Sequence, residues 1–216
     1  MRFQDRRQAG RELAALLVER QRRGRLDDPV VLALPRGGVP VADEVAGALG
    51  APLDVLVVRK IGAPYNPEVG IGALVGDQPP VFDERALSVL GLTPERLGVQ
   101  VRAERDELHR RERLYRAGRP APELGGRAVV VVDDGLATGV TARAALRAVR
   151  AAAPGRLLLA VPVCSHQAVM ALEGEADEIV YAYLPPHFDA VGQWYDDFAQ
   201  LTDDEVVRTL GAARGG

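Results

Sequence analysis

The chain has 216 residues, 47% of them hydrophobic and 26% charged, which suits one globular domain with a sizeable core and excludes a disordered or fibrous protein. Its 27 basic and 30 acidic residues leave a formal charge of −3, so no global basic field for nucleic acid exists. The single cysteine, Cys164, excludes an internal disulfide and a cysteine-rich zinc site, and His109, His166 and His187 are too scattered for a multi-histidine metal centre.

The opening MRFQDRRQAG lacks the apolar core of a signal peptide, and no stretch reaches membrane-spanning length; a cytoplasmic location is expected. FQDRRQAGRELAALLVERQRRG places Phe3, Leu13, Leu16 and Leu17 at helical spacing, an amphipathic helix ended by Gly24. PVVLALP (29–35) reads as a buried strand, VPVADEVAGALG (39–50) as a helix stopped by Gly50, and APLDVLVVRK (51–60) as a second buried strand. Residues 61–80, rich in Gly and Pro, read as a mobile loop or hairpin with a short strand at GALV. A helix follows over Glu84–Leu90, and Thr93 and Pro94 open a long charged helix ending near Arg116, whose charges read as a solvated face. The remaining order is strand 128–133, helix 140–152, strand 156–163, a helix from Ser165 and strand 178–183. After an irregular stretch, Thr202 and Glu205 have the spacing of a capping box before a last helix. Apolar strands alternating with helices predict an α/β fold, a mostly parallel, doubly wound, Rossmann-like sheet covered on both faces. Ligands of such folds sit at the carboxyl ends of strands, where residues 35–38, 59–60 and 133–141 all fall.

VVVVDDGLATGVT (129–141) is the densest chemistry in the chain. Asp133 and Asp134 leave a strand into a loop whose Gly135 and Gly139 let amide groups converge, with the hydroxyls of Thr138 and Thr141 beside a helix N-terminus. That combination favours a phosphate. Two carboxylates would repel the phosphate itself, so they suit the hydroxyls, or a magnesium-bound part, of the same ligand: a sugar phosphate. A Walker B strand is the rival for an apolar run followed by two acids. The chain contains no G-x-x-x-x-G-K-[ST], however, and its single lysine, Lys60, follows another strand.

VVVVDDGLATGVT resembles the phosphoribosyl-pyrophosphate (PRPP) motif of type I phosphoribosyltransferases: an apolar strand, two acids and a Thr-Gly-x-Thr phosphate loop. The core order over about 28–185 is compatible with that family's fold. The resemblance implies that Asp133 and Asp134 hold the ribose hydroxyls while Gly135, Leu136, Ala137, Thr138, Gly139, Val140 and Thr141 wrap the 5′-phosphate. LPRGGVP (34–40) resembles the family's pyrophosphate loop, in which a Gly-containing turn carries a strained, often cis, non-proline peptide; Arg36 supplies charge and Gly37 and Gly38 allow close approach. Arg59 and Lys60 match a basic pair at the root of the family's flexible loop, with 61–80 as the lid. PPHFDAVGQWYDDF (185–198) resembles part of the C-terminal hood, about 185–210, that stacks on the base in many relatives, and makes Phe188 and then Trp194 the base-binding candidates.

The resemblance implies one phosphoribosyltransferase domain over 1–216, a glycosyltransferase of nucleotide salvage. It would use PRPP, a purine or pyrimidine base, and Mg²⁺ held mainly through PRPP and water, with a homodimer as the expected assembly. Catalysis falls to Asp133, Asp134, Lys60 and Arg36. One departure matters: relatives acting on 6-oxopurines usually carry an acid where this chain has Ala137. Ala137 is closer to the adenine-type pattern, whose lid glutamate could be Glu68 here. The alternative is a PRPP-binding regulator without turnover; if it acted on RNA, the Arg-rich stretch 102–116 is its candidate surface.

Overall fold

The structure is a computed structural model that describes residues 2–212. In chain order its elements are α1 (Arg6–Arg22), β1 (Pro29–Ala33), α2 (Gly38–Leu49), β2 (Leu53–Val55), β3 (Val58–Ala63), β4 (Asn66–Val75) and β5 (Val81–Phe82). There follow α3 (Glu84–Leu90), α4 (Gly98–Arg116), β6 (Ala128–Val132), α5 (Val140–Ala151), β7 (Arg156–Val163), α6 (His166–Ala171), β8 (Glu178–Tyr183) and α7 (Asp203–Ala212).

β1, β2, β6, β7 and β8 form one parallel sheet in the order β2-β1-β6-β7-β8, with Leu32 opposite Val131 and Val131 opposite Leu159. All five residues of β6 are buried, as a strand covered on both faces requires. Their side chains alternate between two cores. Val130 and Val132 join Val31, Ala33, Leu13 and Leu17 of α1 and Val41 and Val45 of α2 on one face. Val129 and Val131 join Val30, Leu32, Leu146 of α5 and Ala168 of α6 on the other. From β1 the chain winds outward through α2 to β2; from β6 it winds the opposite way through α5 to β7. The strand order therefore reverses between β1 and β6, and the loops leaving them diverge around a crevice at their carboxyl ends.

Three expectations change. The apolar run 51–60 is two strands: β2 stays in the parallel sheet, while β3 pairs antiparallel with β4 in a separate sheet of order β3-β4-β5. Residues 61–80 are thus mostly a hairpin, anchored by buried Ile61, Ile71 and Leu74 in the core that also holds Leu108 of α4, with an exposed Tyr65 at its tip. Phe3 lies outside α1: it bridges Tyr195 as an isolated strand pair, and Asp5 caps the helix by accepting from the Gln8 amide at 2.7 Å. The long charged helix opens with a short 3-10 turn, Pro94–Leu97, before α4. At α7 the capping box forms as spaced, the Thr202 amide donating to Glu205 and the Glu205 amide to the Thr202 hydroxyl. No helix among the described residues is long and apolar enough to cross a membrane.

Candidate active site

The crevice between β1 and β6 brings together two of the sequence motifs. After β1, the Pro35–Arg36 peptide is cis and Gly38 begins α2. The turn packs directly on the end of β6. A methyl group at Gly37 would overlap the Asp134 carboxylate, and one at Gly38 would come 2.7 Å from the Val132 carbonyl and 3.0 Å from Asp133 Cα. Gly37 has an ordinary helical φ of −59°, so glycine serves close approach here rather than an unusual backbone. Arg36 is half-buried, its guanidinium 3.9 Å from Asp203 at the start of α7. That carboxylate accepts from the Tyr115 hydroxyl at 2.5 Å, and burial together with Asp203 pushes Tyr115 up to about 12.

Beyond β6 the loop 135–139 is held from behind. The Leu136 amide donates to the Val163 carbonyl, the Ser165 amide to the Leu136 carbonyl, and the Ser165 hydroxyl to the Ala137 carbonyl at 2.6 Å. Gly139, at φ +77°, turns the chain into α5 through the left-handed region, where a side chain would be strained and would press on Leu172. Among the described residues, the backbone N–H groups of Ala137, Thr138, Gly139, Val140 and Thr141 donate to no protein acceptor. Thr138 and Thr141 are exposed beside them. A twelve-residue helix thus begins in a run of outward amides and hydroxyls, the arrangement that receives an anion.

The two acids are crowded. The Asp134 amide donates to Asp133 Oδ1 at 2.8 Å. Burial, and next the charge of Asp134, push Asp133 well above the usual carboxylate range. Burial also raises Asp134, while Arg6 pulls it back. Arg6 Nε donates to Asp134 Oδ2 at 2.8 Å, with both side chains nearly buried at 11% and 14% exposure. Arg6 also donates to the Ala199 carbonyl at 2.9 Å and lies 3.9 Å over the Phe198 ring. The buried Tyr195 donates its hydroxyl to the Asp134 carbonyl at 2.6 Å, and burial raises its pKa.

The other predicted residues lie on other elements. Arg59 and Lys60 are on β3, inside the hairpin sheet instead of at the end of a parallel strand. Arg59 is paired with Glu104 of α4 at 2.6 Å, and Lys60 is exposed, its aliphatic stem crossing Gly70 of β4. Phe188 and Trp194 pack together, centroids 6.2 Å apart, and Trp194 meets Tyr183 edge-on. With Phe3, Val163 and Tyr195 they form a small hood core whose Val191 abuts Gly135. The side chain of Glu68 lies outside the described residues. Part of the Arg-rich stretch of α4 is engaged within the chain: Arg105 donates to the Gly76 and Gln78 carbonyls, Arg110 and Arg111 share Glu107, and Arg116 pairs with Asp54. Arg6, Tyr195 and Ser165 are the contacts that pattern alone does not disclose. Ser165 precedes a helix as a cap should, but nothing local ties Arg6 to residue 134.

Comparison with known proteins leads to the same family. The family model of the phosphoribosyl transferase domain matches residues 2–193. Rv0571c of Mycobacterium tuberculosis (strain H37Rv), a protein named provisionally as a phosphoribosyl transferase, is 45% identical over 211 residues, 98% of this chain and 47% of that protein. The chain therefore spans about half the length of the curated relatives it matches. The crystal structure of TT1426 from Thermus thermophilus is similar with a TM-score of 0.82 at 45% identity, covering 97% of this chain and 98% of that one. A hypoxanthine-guanine phosphoribosyltransferase from Bacillus anthracis shares the fold at a TM-score of 0.51 and 11% identity, over 86% of this chain and 84% of that one.

Proposed function

The chain belongs to the phosphoribosyl transferase family, and on that premise we propose that it moves the 5-phosphoribosyl group of PRPP to a purine or pyrimidine base with release of pyrophosphate. One observation carries this reading: the turn 35–38 packs on Asp133–Asp134 directly beside the amides of 137–141, which donate to no acceptor among the described residues. An anion cradle, two carboxylates and a glycine turn bearing an arginine then share one crevice, as a ligand with a phosphate, vicinal hydroxyls and a second anionic group requires.

In that reading the amides of 137–141 and the hydroxyls of Thr138 and Thr141 hold the 5′-phosphate. Asp133 and Asp134 accept the ribose hydroxyls and fix the ring as positive charge develops at the anomeric carbon. Attack by the base nitrogen inverts that carbon and releases pyrophosphate, for which Arg36 is the proposed cationic partner on the turn, with Lys60 and Arg59 contributing only if the hairpin that carries them closes on the ligand. Phe188 and Trp194 form the hood wall on the base side. Among the described residues no three His, Cys, Asp or Glu side chains converge into a metal cage. In this reading magnesium would be held mainly through the oxygens of PRPP and water, and it would supply charge neutralisation of the pyrophosphate. The same reading makes the protein a cytoplasmic salvage enzyme that works as a homodimer.

The test is pyrophosphate release from PRPP and Mg²⁺ over a panel of purine and pyrimidine bases, with Asp134→Asn as control. Release with one base, lost in the variant, is the expected result and names the acceptor. PRPP binding without release by any base would instead select the regulator, and absence of PRPP binding would overturn both readings.

A further inference from the structure

In sequence Arg6 is one more charge on an amphipathic helix; folding carries it into the crevice. Its Nε holds Asp134 Oδ2 while the Gly37 backbone closes on the same carboxylate, so that side chain is gripped from two sides. A carboxylate that accepts a ribose hydroxyl must be ionised and oriented; burial raises Asp134, and Arg6 is the leading group that pulls it back toward the ionised form. The groups that face it are Asp133 on its own strand end, Arg6 from α1, the Tyr195 hydroxyl from the hood, and the turn that carries Arg36.

We propose that Arg6 is a positioning residue for ribose recognition: its guanidinium fixes the Asp134 carboxylate by one oxygen and leaves the other, Oδ1, to accept a hydroxyl of PRPP. The inference rests on the PRPP reading and extends the site to the first turn of α1. Arg6 also ties down the hood through Ala199 and Phe198. A purely anchoring role predicts that the hood contacts matter; the positioning role predicts that the charge beside Asp134 matters.

Calorimetric titration of the full chain with PRPP and Mg²⁺ separates the two, using wild type, Arg6→Gln, Arg6→Lys and Phe198→Leu, each with a melting curve. Loss of one charge-assisted contact is expected to weaken PRPP binding by about 20-fold or more in Arg6→Gln. Arg6→Lys keeps a cation in reach of Oδ2 but loses the fork and the stacking, and is expected to recover binding to within about fivefold of wild type. Phe198→Leu should stay within about twofold, since it keeps the charge and removes only the stacking face. Wild-type affinity in Arg6→Gln overturns the proposal. So does equal weakness in Arg6→Lys and Phe198→Leu, which would make Arg6 a hood anchor. If Arg6→Gln does not fold, the comparison of Arg6→Lys with Phe198→Leu still decides. A folded wild type that binds no PRPP refutes the functional reading itself, an outcome read before any variant is compared.

Discussion

Two nearly buried arginine–aspartate pairs in this protein are almost identical as pairs and different in setting. Arg116 at the end of α4 donates Nε to Asp54 Oδ2 at 2.9 Å, with side-chain exposures of 14% and 9%, and Arg6 does the same to Asp134 at 2.8 Å with 11% and 14%. Asp54 lies within β2, and its arginine reaches on to the Val55 carbonyl and to Glu112, so charge and backbone acceptors are matched on the spot. Asp134 stands at a strand mouth, next to another acid and under a glycine turn. The same chemistry closes off one end of the molecule and leaves the other end loaded with negative charge facing a crevice. A buried ion pair is therefore no marker of a site; an ion pair with one carboxylate too many is.

The largest expected effect comes from the turn. Asp134 cannot retreat from a methyl at Gly37 without letting go of Arg6, so Gly37→Ala should weaken PRPP binding about 100-fold or more, losing both the carboxylate's geometry and the close approach of the turn. Combined with Arg6→Gln, the loss should fall well short of the sum of the two, because both changes release the same carboxylate. Additive losses in titration calorimetry would separate the turn from the ion pair and break the comparison.

Arg116→Met supplies the opposite profile. It strands Asp54 in the interior, at a cost of about 3 kcal/mol, a fall in Tm of roughly 6–12 °C for a chain of this size. PRPP affinity of the folded protein should stay within about twofold of wild type, as expected for a pair outside the crevice. A calorimetric scan and a titration on one sample check both halves.

The contrast also explains what could be read from the chain alone. β6 and β7 are legible because a parallel sheet covered on both faces needs unbroken apolar runs, and VVVV and LLLAV are such runs. The capping box at Thr202 and the glycine turn at 135–139 are legible because their chemistry is local. The division of 51–60 is not, since LDVLVVRK stays apolar across the point where the chain leaves one sheet for another. That hid the pairing of Arg59 with Glu104 and moved Lys60 into the hairpin. Arg6 and Arg116 are invisible for a related reason: their partners lie 128 and 62 residues away, and periodicity sees only neighbours. Asp133 and Asp134 could be found as acids; the question of which one is held, and by what, is tertiary.

The smallest effect is also the one that tests whether the crowding is real. Asp133 is half-buried beside Asp134, and its pKa lies well above the ordinary carboxylate value near 3.8. Between that ordinary value and the raised one, the native chain keeps a proton that the unfolded chain releases, so the unfolded state binds fewer protons and stability falls as pH rises through the window. Below the window both states are protonated and the penalty is absent; above it the penalty is complete. Asp133→Asn cannot ionise and keeps the shape, so it should escape this fall. At pH 8 the variant is expected to be more stable than wild type by about 1 kcal/mol, or roughly 2–4 °C in Tm, and the difference should shrink as pH falls through the window and vanish only well below the ordinary carboxylate value, at about pH 2.5. The same variant loses a hydroxyl-accepting carboxylate and should bind PRPP more weakly, so stability and affinity move in opposite directions. Asp54→Asn sharpens the contrast with the other pair, because it removes the anion that Arg116 requires and should lower Tm at pH 8. If Asp133→Asn lowers Tm at pH 8 as well, the acid at the strand mouth is as well matched as the one in β2, and the excess charge assigned to the crevice is not there.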